Sequence, residues 1–322
     1  MHLPRRVRSF KLFFILILIF FIFCGFAGCA EKINSAVKTP KGSILHTEIH
    51  ETPQSALSGS ISKTEIPVSS QPTPTAPDPN RPYMPTRDAG DAKMLRGRCV
   101  VFDVYLSDKL SSFSCSERQQ EMFKEYLALS YLSDKADISG IPLNFIYEQT
   151  GLSYDHAVDF LIPSDISDPA WVQPLYETIR EQYKFNKISS AYYADNISVY
   201  FHINKSGRSY SLQCDGSCYF HEISVIYANG LDTCGNPVIS EEFDYIHELL
   251  HQFGAIDLYY PNQPDDPRIA MAEAEFPNDI MRVYSYDMHT ATLSEADLYA
   301  IGWRDAVPEK DVIYILPLED KQ

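Results

Sequence analysis

The run His247-Glu248-Leu249-Leu250-His251 constrains this 322-residue chain more than any other stretch. Histidines four positions apart lie one above the other only on an α-helix, where both imidazoles can reach a single metal ion. Phe243, Ile246, Leu249, Leu250 and Phe253 then share one side of that helix, while Asp244, His247, Glu248 and His251 share the adjoining side. A buried stripe with a polar edge suits the floor of a cleft; the competing reading is a surface helix with two solvated histidines. Glu248 is awkwardly placed to be a further ligand from the same turn but well placed to take a proton from a water. A zinc ion lowers the pKa of its water from about 15.7 to about 7, and a neighbouring carboxylate can pass the proton on to a leaving amine.

A catalytic zinc needs a third protein ligand and an open fourth position. Gly254 stands where the helix should end, because glycine accepts the left-handed conformation that lets the chain reverse. That reversal can swing Asp257 back to the metal, and carboxylate oxygen is an accepted zinc donor. Glu273 and Glu275, in a possible helix at residues 270–275, are the alternative third ligands, with a solvated helix face as the plainer reading.

The pattern HExxHxxGxxD resembles the metzincin metallopeptidases, in the snapalysin-like variant where aspartate replaces the usual third histidine. Residues 277–281, Pro-Asn-Asp-Ile-Met, resemble that family's methionine turn, with Met281 as the pivot beneath the metal. The resemblance covers roughly residues 98–303 in its order of elements, and it implies an α/β (α+β) fold. That fold has a twisted mixed sheet, a zinc-binding active-site helix and a small C-terminal subdomain. It further implies one catalytic Zn²⁺ held by His247, His251 and Asp257, with Glu248 catalytic, and hydrolysis of peptide bonds. Tyr284 and Tyr286 are candidates for supporting an oxyanion, with packing or surface tyrosines as the competing reading.

Around this helix the apolar pattern supplies a sheet. Residues 99–106 read as a largely buried strand, followed by a helix starting at Ser116 and Gln119 in capping-box spacing, with Met122, Phe123, Tyr126, Leu127 and Leu129 on its apolar side. A strand is expected at 143–147 and a helix near 168–183, with Pro169 or Pro174 in its first turn. Alternation at Ile197, Val199, Phe201 and Ile203 predicts a half-buried strand turning through residues 205–208. Another strand, at 221–228, is expected to form the cleft edge that pairs with an extended substrate. Ser240 is the expected cap of the zinc helix, and residues 294–301 form a last short helix stopped by Gly302.

Arg5, Arg6, Arg8 and Lys11 precede an apolar run at 12–23 and the sequence Phe26-Ala27-Gly28-Cys29, the pattern of an export signal. The small residues before Cys29 resemble a bacterial lipobox; an uncleaved membrane anchor is the alternative. Residues 30–93, rich in Ser, Thr and Pro, cannot bury a core and read as a tether. The expected organisation is thus 1–29 signal or anchor, 30–93 disordered tether and 94–322 metallopeptidase domain. This places the domain outside the cytoplasm, attached to the bacterial membrane through lipid at Cys29 or the anchor.

Of the seven cysteines, Cys24 and Cys29 belong to the signal. Cys99 with Cys115, and Cys214 with Cys218 or Cys234, are conceivable disulfides, while Cys214, Cys218 and His221 could instead form a second metal site. Asp265 and Asp266 near Asn262 could hold calcium, although a solvated loop explains them as well. A net charge of −16 argues against a nucleic-acid partner. The expected partner is a peptide or protein substrate; the alternatives are a zinc amidase acting on cell-wall peptides and a non-catalytic envelope binding protein on a metalloprotease scaffold.

Overall fold

The structure, a computed structural model, describes residues 90–147, 151–164, 169–213, 221–231, 237–239, 241–259, 266–282 and 288–315. The expected signal, the Cys29 lipid site and the tether up to residue 89 lie outside these residues. So do Cys214, Cys218, Cys234, Ser240, Asn262, Asp265, Tyr284 and Tyr286. No described helix is long and apolar enough to cross a membrane.

An α/β architecture is built on a seven-stranded mixed sheet. Strand β1 (Gly97–Ser107) runs parallel to β2 (Leu143–Ile146) and β3 (Ser153–Ala157) on one side and to β4 (Asn196–Gly207) on the other. β4 is parallel to β6 (Ile223–Leu231), whose far side carries the antiparallel strands β5 (Tyr210–Leu212) and β7 (Pro237–Ile239). The helices are α1 (Cys115–Ile138), α2 (Val172–Tyr183), α3 (Phe185–Ala191), α4 (Glu242–Gln252), α5 (Pro267–Glu275) and α6 (Glu295–Ala300).

Successive side chains of β1 point to opposite faces, and both faces are covered. Val100, Phe102, Val104 and Leu106 pack against Val172, Tyr176 and Ile179 of α2 and Phe185 of α3. Cys99 and Val101 belong to a second core with Ala128, Leu129 and Leu132 of α1 and Ile246, Leu249 and Leu250 of α4. Helices on both faces explain why residues 99–106 are apolar almost without interruption.

The same double covering corrects the reading of β4. Val199, Phe201 and Ile203 are buried, but so are Ser198, Tyr200 and His202 on the other face. That face is buried by hydrogen bonding: the Tyr200 hydroxyl donates to the Tyr245 carbonyl at 2.9 Å, and Ser198 Oγ donates to Gln252 Oε1 at 2.8 Å. The strand also runs on to Gly207 instead of turning at 205.

α1 begins one residue before Ser116, because Ser114 accepts from Glu117 N at 3.3 Å while Glu117 Oε2 accepts from Ser114 N at 2.7 Å. Its inward face holds Glu121, Glu125, Ala128, Leu129, Leu132 and Ala136, whereas Phe123 is 54% exposed. Strand β6 is no free edge: β5 covers its start and β7 its end, so β5 is the outer strand beside α4. Cys99 is a free thiol buried in the core, so no bond joins it to Cys115, which sits at the exposed start of α1. The packed region reaches back to Asp91 and Ala92, whose N–H groups donate to Glu222 at 2.8 and 3.3 Å.

Candidate metal centre

Helix α4 is capped by Glu241, whose side chain accepts from the Asp244 backbone while Asp244 Oδ2 accepts from Glu241 N at 3.0 Å. Glu242 and Asp244 in the first turn favour the positive end of the helix dipole. All five predicted apolar positions, Phe243, Ile246, Leu249, Leu250 and Phe253, are buried, each contributing roughly 1.5–3 kcal/mol of burial free energy. Gln252 fixes the far end: its amide donates to Ser224 Oγ at 2.6 Å and to the Val199 carbonyl at 3.2 Å. The helix is thereby locked to β4 and β6 in both tilt and rotation.

Past Phe253, Gly254 takes the left-handed conformation at φ 98°, and the chain reverses as its spacing predicts. Two bonds bring Asp257 home. Ala255 N donates to the Leu250 carbonyl at 3.1 Å, and Leu258 N donates to the Met281 carbonyl at 2.8 Å. Met281 is fully buried, and its turn is braced by Asp279, which accepts from Met281 N at 2.7 Å and Ser294 N at 2.6 Å. Asp279 lies beside Asp297, and burial together with the Asp279 charge holds the Asp297 carboxyl well above its ordinary range.

His247, His251 and Asp257 come together. Asp257 Oδ1 lies 3.0 Å from His247 Nε2 and 3.2 Å from His251 Nε2, and the two Nε2 atoms are 3.1 Å apart. Metal bonds of about 2.0–2.1 Å in a tetrahedral site would set the donors about 3.3–3.4 Å apart, so the triangle is close to the size a zinc ion requires. Asp257 Oδ1 is buried and, despite those short distances, lacks a hydrogen-bond partner of proper alignment among the described residues. Three donors therefore converge on a common point more than on one another. Both rings are oriented from behind: His247 Nδ1 lies 3.0 Å from the Ile280 carbonyl and His251 Nδ1 2.8 Å from the Ala255 carbonyl. Donation from Nδ1 fixes the tautomer and leaves each Nε2 lone pair for a metal. Two imidazoles and a carboxylate are a donor set that suits zinc.

The electrostatics follow this geometry. Burial opposes charging His247, but the adjacent Asp257 carboxylate outweighs it and pushes the imidazole up to about 9. His251 is raised for the same reasons. Burial alone would raise Asp257, yet the two imidazoles hold it well below the carboxylate range. Without a metal, protons supply the positive charge that this triangle favours; with one, they are released.

Glu248 is 5% exposed and lies beside the triangle. Ser211 Oγ of β5 is 2.8 Å from Glu248 Oε2 and 2.8 Å from the Glu248 carbonyl. Ser224 Oγ donates to that same carbonyl at 3.0 Å and lies 2.8 Å from Ser211 Oγ. Gln213, at the end of β5, donates from Nε2 to the Ala255 carbonyl at 3.0 Å, bracing the same oxygen that orients His251. Tyr259 stacks near His247 with centroids 6.2 Å apart, and Arg208 reaches its hydroxyl at 3.4 Å. Ser211, Gln213, Arg208 and Tyr259 went unnoticed in the sequence; only Tyr259, two residues after Asp257, carried a signal.

The other candidates are elsewhere. Glu275 pairs with Lys310 and lies 3.4 Å from the Tyr314 hydroxyl, and Glu273 is exposed, so neither joins the histidines. Asp266 caps α5 through Arg268 N at 2.9 Å and pairs with its guanidinium at 2.7 Å. His221 bonds Asp91 at 2.6 Å, while Cys214 and Cys218, its expected partners in a second metal site, lie outside the described residues. No protein-family model, curated protein or solved structure matches this chain.

Proposed function

We propose that the domain is a zinc-dependent endopeptidase of metzincin type, carried outside the cytoplasmic membrane on a lipid at Cys29 or on an uncleaved anchor. The observation that carries this reading is the near-equilateral triangle of His247 Nε2, His251 Nε2 and Asp257 Oδ1, with both histidines braced by backbone carbonyls. The order of elements supports it too: a sheet, then the zinc helix, then a short C-terminal part that supplies the Met281 turn.

Zinc bound there would polarise a scissile carbonyl and acidify a water. Glu248 acts as general base and then general acid: Oε2 is steadied by Ser211, and Oε1 takes the proton from the attacking water and returns it to the leaving amine. The outer strand β5 pairs only with β6 among the described residues, and it lies against α4, which makes it the edge available to an extended substrate backbone.

Zinc content and cleavage of a mixed peptide library, measured for wild type and Glu248→Ala, test the assignment. Glu248→Ala should keep its zinc and lose turnover. A wild type that binds zinc but cleaves no peptide refutes the endopeptidase reading, and unchanged turnover in the variant removes Glu248 from the chemistry.

A further inference from the structure

A second cluster of metal-ligating side chains lies between the sheet and the layer of α1 and α4. Asp103 of β1, Glu125 of α1 and His202 of β4 are 2%, 1% and 0% exposed, and one ligand atom from each lies within 4.8 Å of the others. We propose that these three residues hold a second divalent transition-metal ion, zinc or manganese, that ties β1, β4 and α1 together behind the catalytic helix.

The hydrogen bonds around His202 narrow the choices. The Tyr245 hydroxyl has one proton, and it donates that proton to Glu121 Oε2 at 2.9 Å. His202 Nδ1, 3.2 Å from the same hydroxyl oxygen, must then be the donor in that contact. On its other side His202 Nε2 faces Asp103 Oδ1 at 2.9 Å. Three states satisfy both contacts: a doubly protonated imidazolium, a neutral ring accepting a proton from the Asp103 carboxyl, or a neutral ring whose Nε2 lone pair shares a cation with Asp103. A neutral ring facing an ionised Asp103 with no cation between them would aim a lone pair at a carboxylate in a buried site, which is repulsive.

Three features favour the cation. Asp103 and Glu125 are two carboxyl groups on buried ground, where a dication favours the ionised form of both. Glu121, the remaining carboxylate, already has Lys124 at 2.8 Å. The hydroxyl of Tyr105, a residue 2% exposed on the same face of β1 as Asp103, lacks a hydrogen-bond partner among the described residues. Its ring stacks on His202 with centroids 4.3 Å apart and planes 9° apart, placing an oxygen donor next to the cluster. One imidazole with carboxylates suits zinc or manganese better than calcium, which takes oxygen ligands. The chain Glu121–Tyr245–His202 is the outer bracing that metal-bound histidines use. Tyr245 sits on α4 two residues before His247, so an ion here would also stiffen the catalytic helix.

The test is metal content per chain by mass spectrometry on full-length protein loaded with zinc or manganese and then dialysed. Wild type should carry two equivalents, His251→Ala one, Glu125→Gln one, and the double variant none, with near-UV circular dichroism reporting the fold. One equivalent in wild type that disappears in His251→Ala overturns the proposal, because a proton and not a metal then lies between His202 and Asp103. Equal metal in His251→Ala and in the folded double variant overturns it as well. If Glu125→Gln does not fold, the His251→Ala arm decides alone, since it leaves the cluster untouched. A single equivalent that survives His251→Ala but is lost in Glu125→Gln supports this site and overturns the catalytic one.

Discussion

Asp257→Asn is the most direct probe of the proposed metal site, because it keeps the shape of the side chain and removes its charge. Free zinc at a thousand times its Kd stabilises the folded state by about 4.1 kcal/mol. For a domain of roughly 150–250 residues, about 2–4 °C of Tm accompanies each kcal/mol, so zinc at this site should contribute about 8–16 °C to the wild-type Tm. Asp257 supplies one of three donors, its Oδ1 standing 3.0 and 3.2 Å from the two Nε2 atoms. Removing even an outer-shell partner costs about 10–100-fold in metal affinity, so a lost ligand should cost at least about 100-fold. At the same zinc concentration the stabilisation left from this site is about 1.4 kcal/mol, and its contribution to the zinc-induced rise shrinks to about 3–6 °C. Differential scanning calorimetry with and without zinc measures it. Using the rise, and not the absolute Tm, cancels the attraction between Asp257 and the imidazoles that the metal-free variant has also lost. A rise in Asp257→Asn equal to that of wild type, with equal zinc content, would refute its role as third ligand.

Three further predictions follow from the same geometry. Ser211→Ala removes the hydroxyl 2.8 Å from Glu248 Oε2, so kcat should fall while KM and zinc content stay constant; an unchanged kcat rules out Ser211 as a positioning residue. Gly254→Ala forces a side chain into the left-handed region at φ 98°, which should cost about 1–2 kcal/mol and weaken zinc binding by displacing Asp257; an unchanged Tm contradicts this. Glu222 is pushed up to about 7 by burial, above its unfolded value, so the folded state binds more protons and loses stability as pH rises from about 4.5 through about 7. The loss amounts to about 3 kcal/mol, and Glu222→Gln should abolish that part of the Tm difference between pH 5 and pH 8; a full difference in the variant disproves the assignment.

The legible parts of this chain are those where one short segment sets its own geometry. His247, Glu248 and His251 share a helix edge by spacing alone, Gly254 declares the reversal by its conformational freedom, and Asp257 is close because the reversal is short. Ser294 and Gly302 likewise bound α6 as their residue types predict. The outer strand β5 was missed because it spans only Tyr210–Leu212, too short for a period-2 pattern to register.

A different failure hid the back of helix α4. Sequence patterning equates polar with solvated, but Glu121, Glu125, Ser198, His202 and Gln252 are all buried. Glu121, His202, Ser198 and Gln252 are hydrogen-bonded across α1, β4 and α4, in partnerships between residues up to 124 positions apart, as for Tyr245 and Glu121. An isolated polar residue at such a position would cost about 1–3 kcal/mol, so its burial is tolerable only if its partners are buried with it. Helix α1 therefore turns its carboxylates inward and leaves Phe123 outside, the reverse of what its apolar spacing predicts. Apolar packing would hold α4 against the sheet with tolerance for small rotations. The hydrogen bonds of Gln252, Tyr245 and Glu248 fix its rotation about its own axis, and that rotation decides whether His247 and His251 meet Asp257.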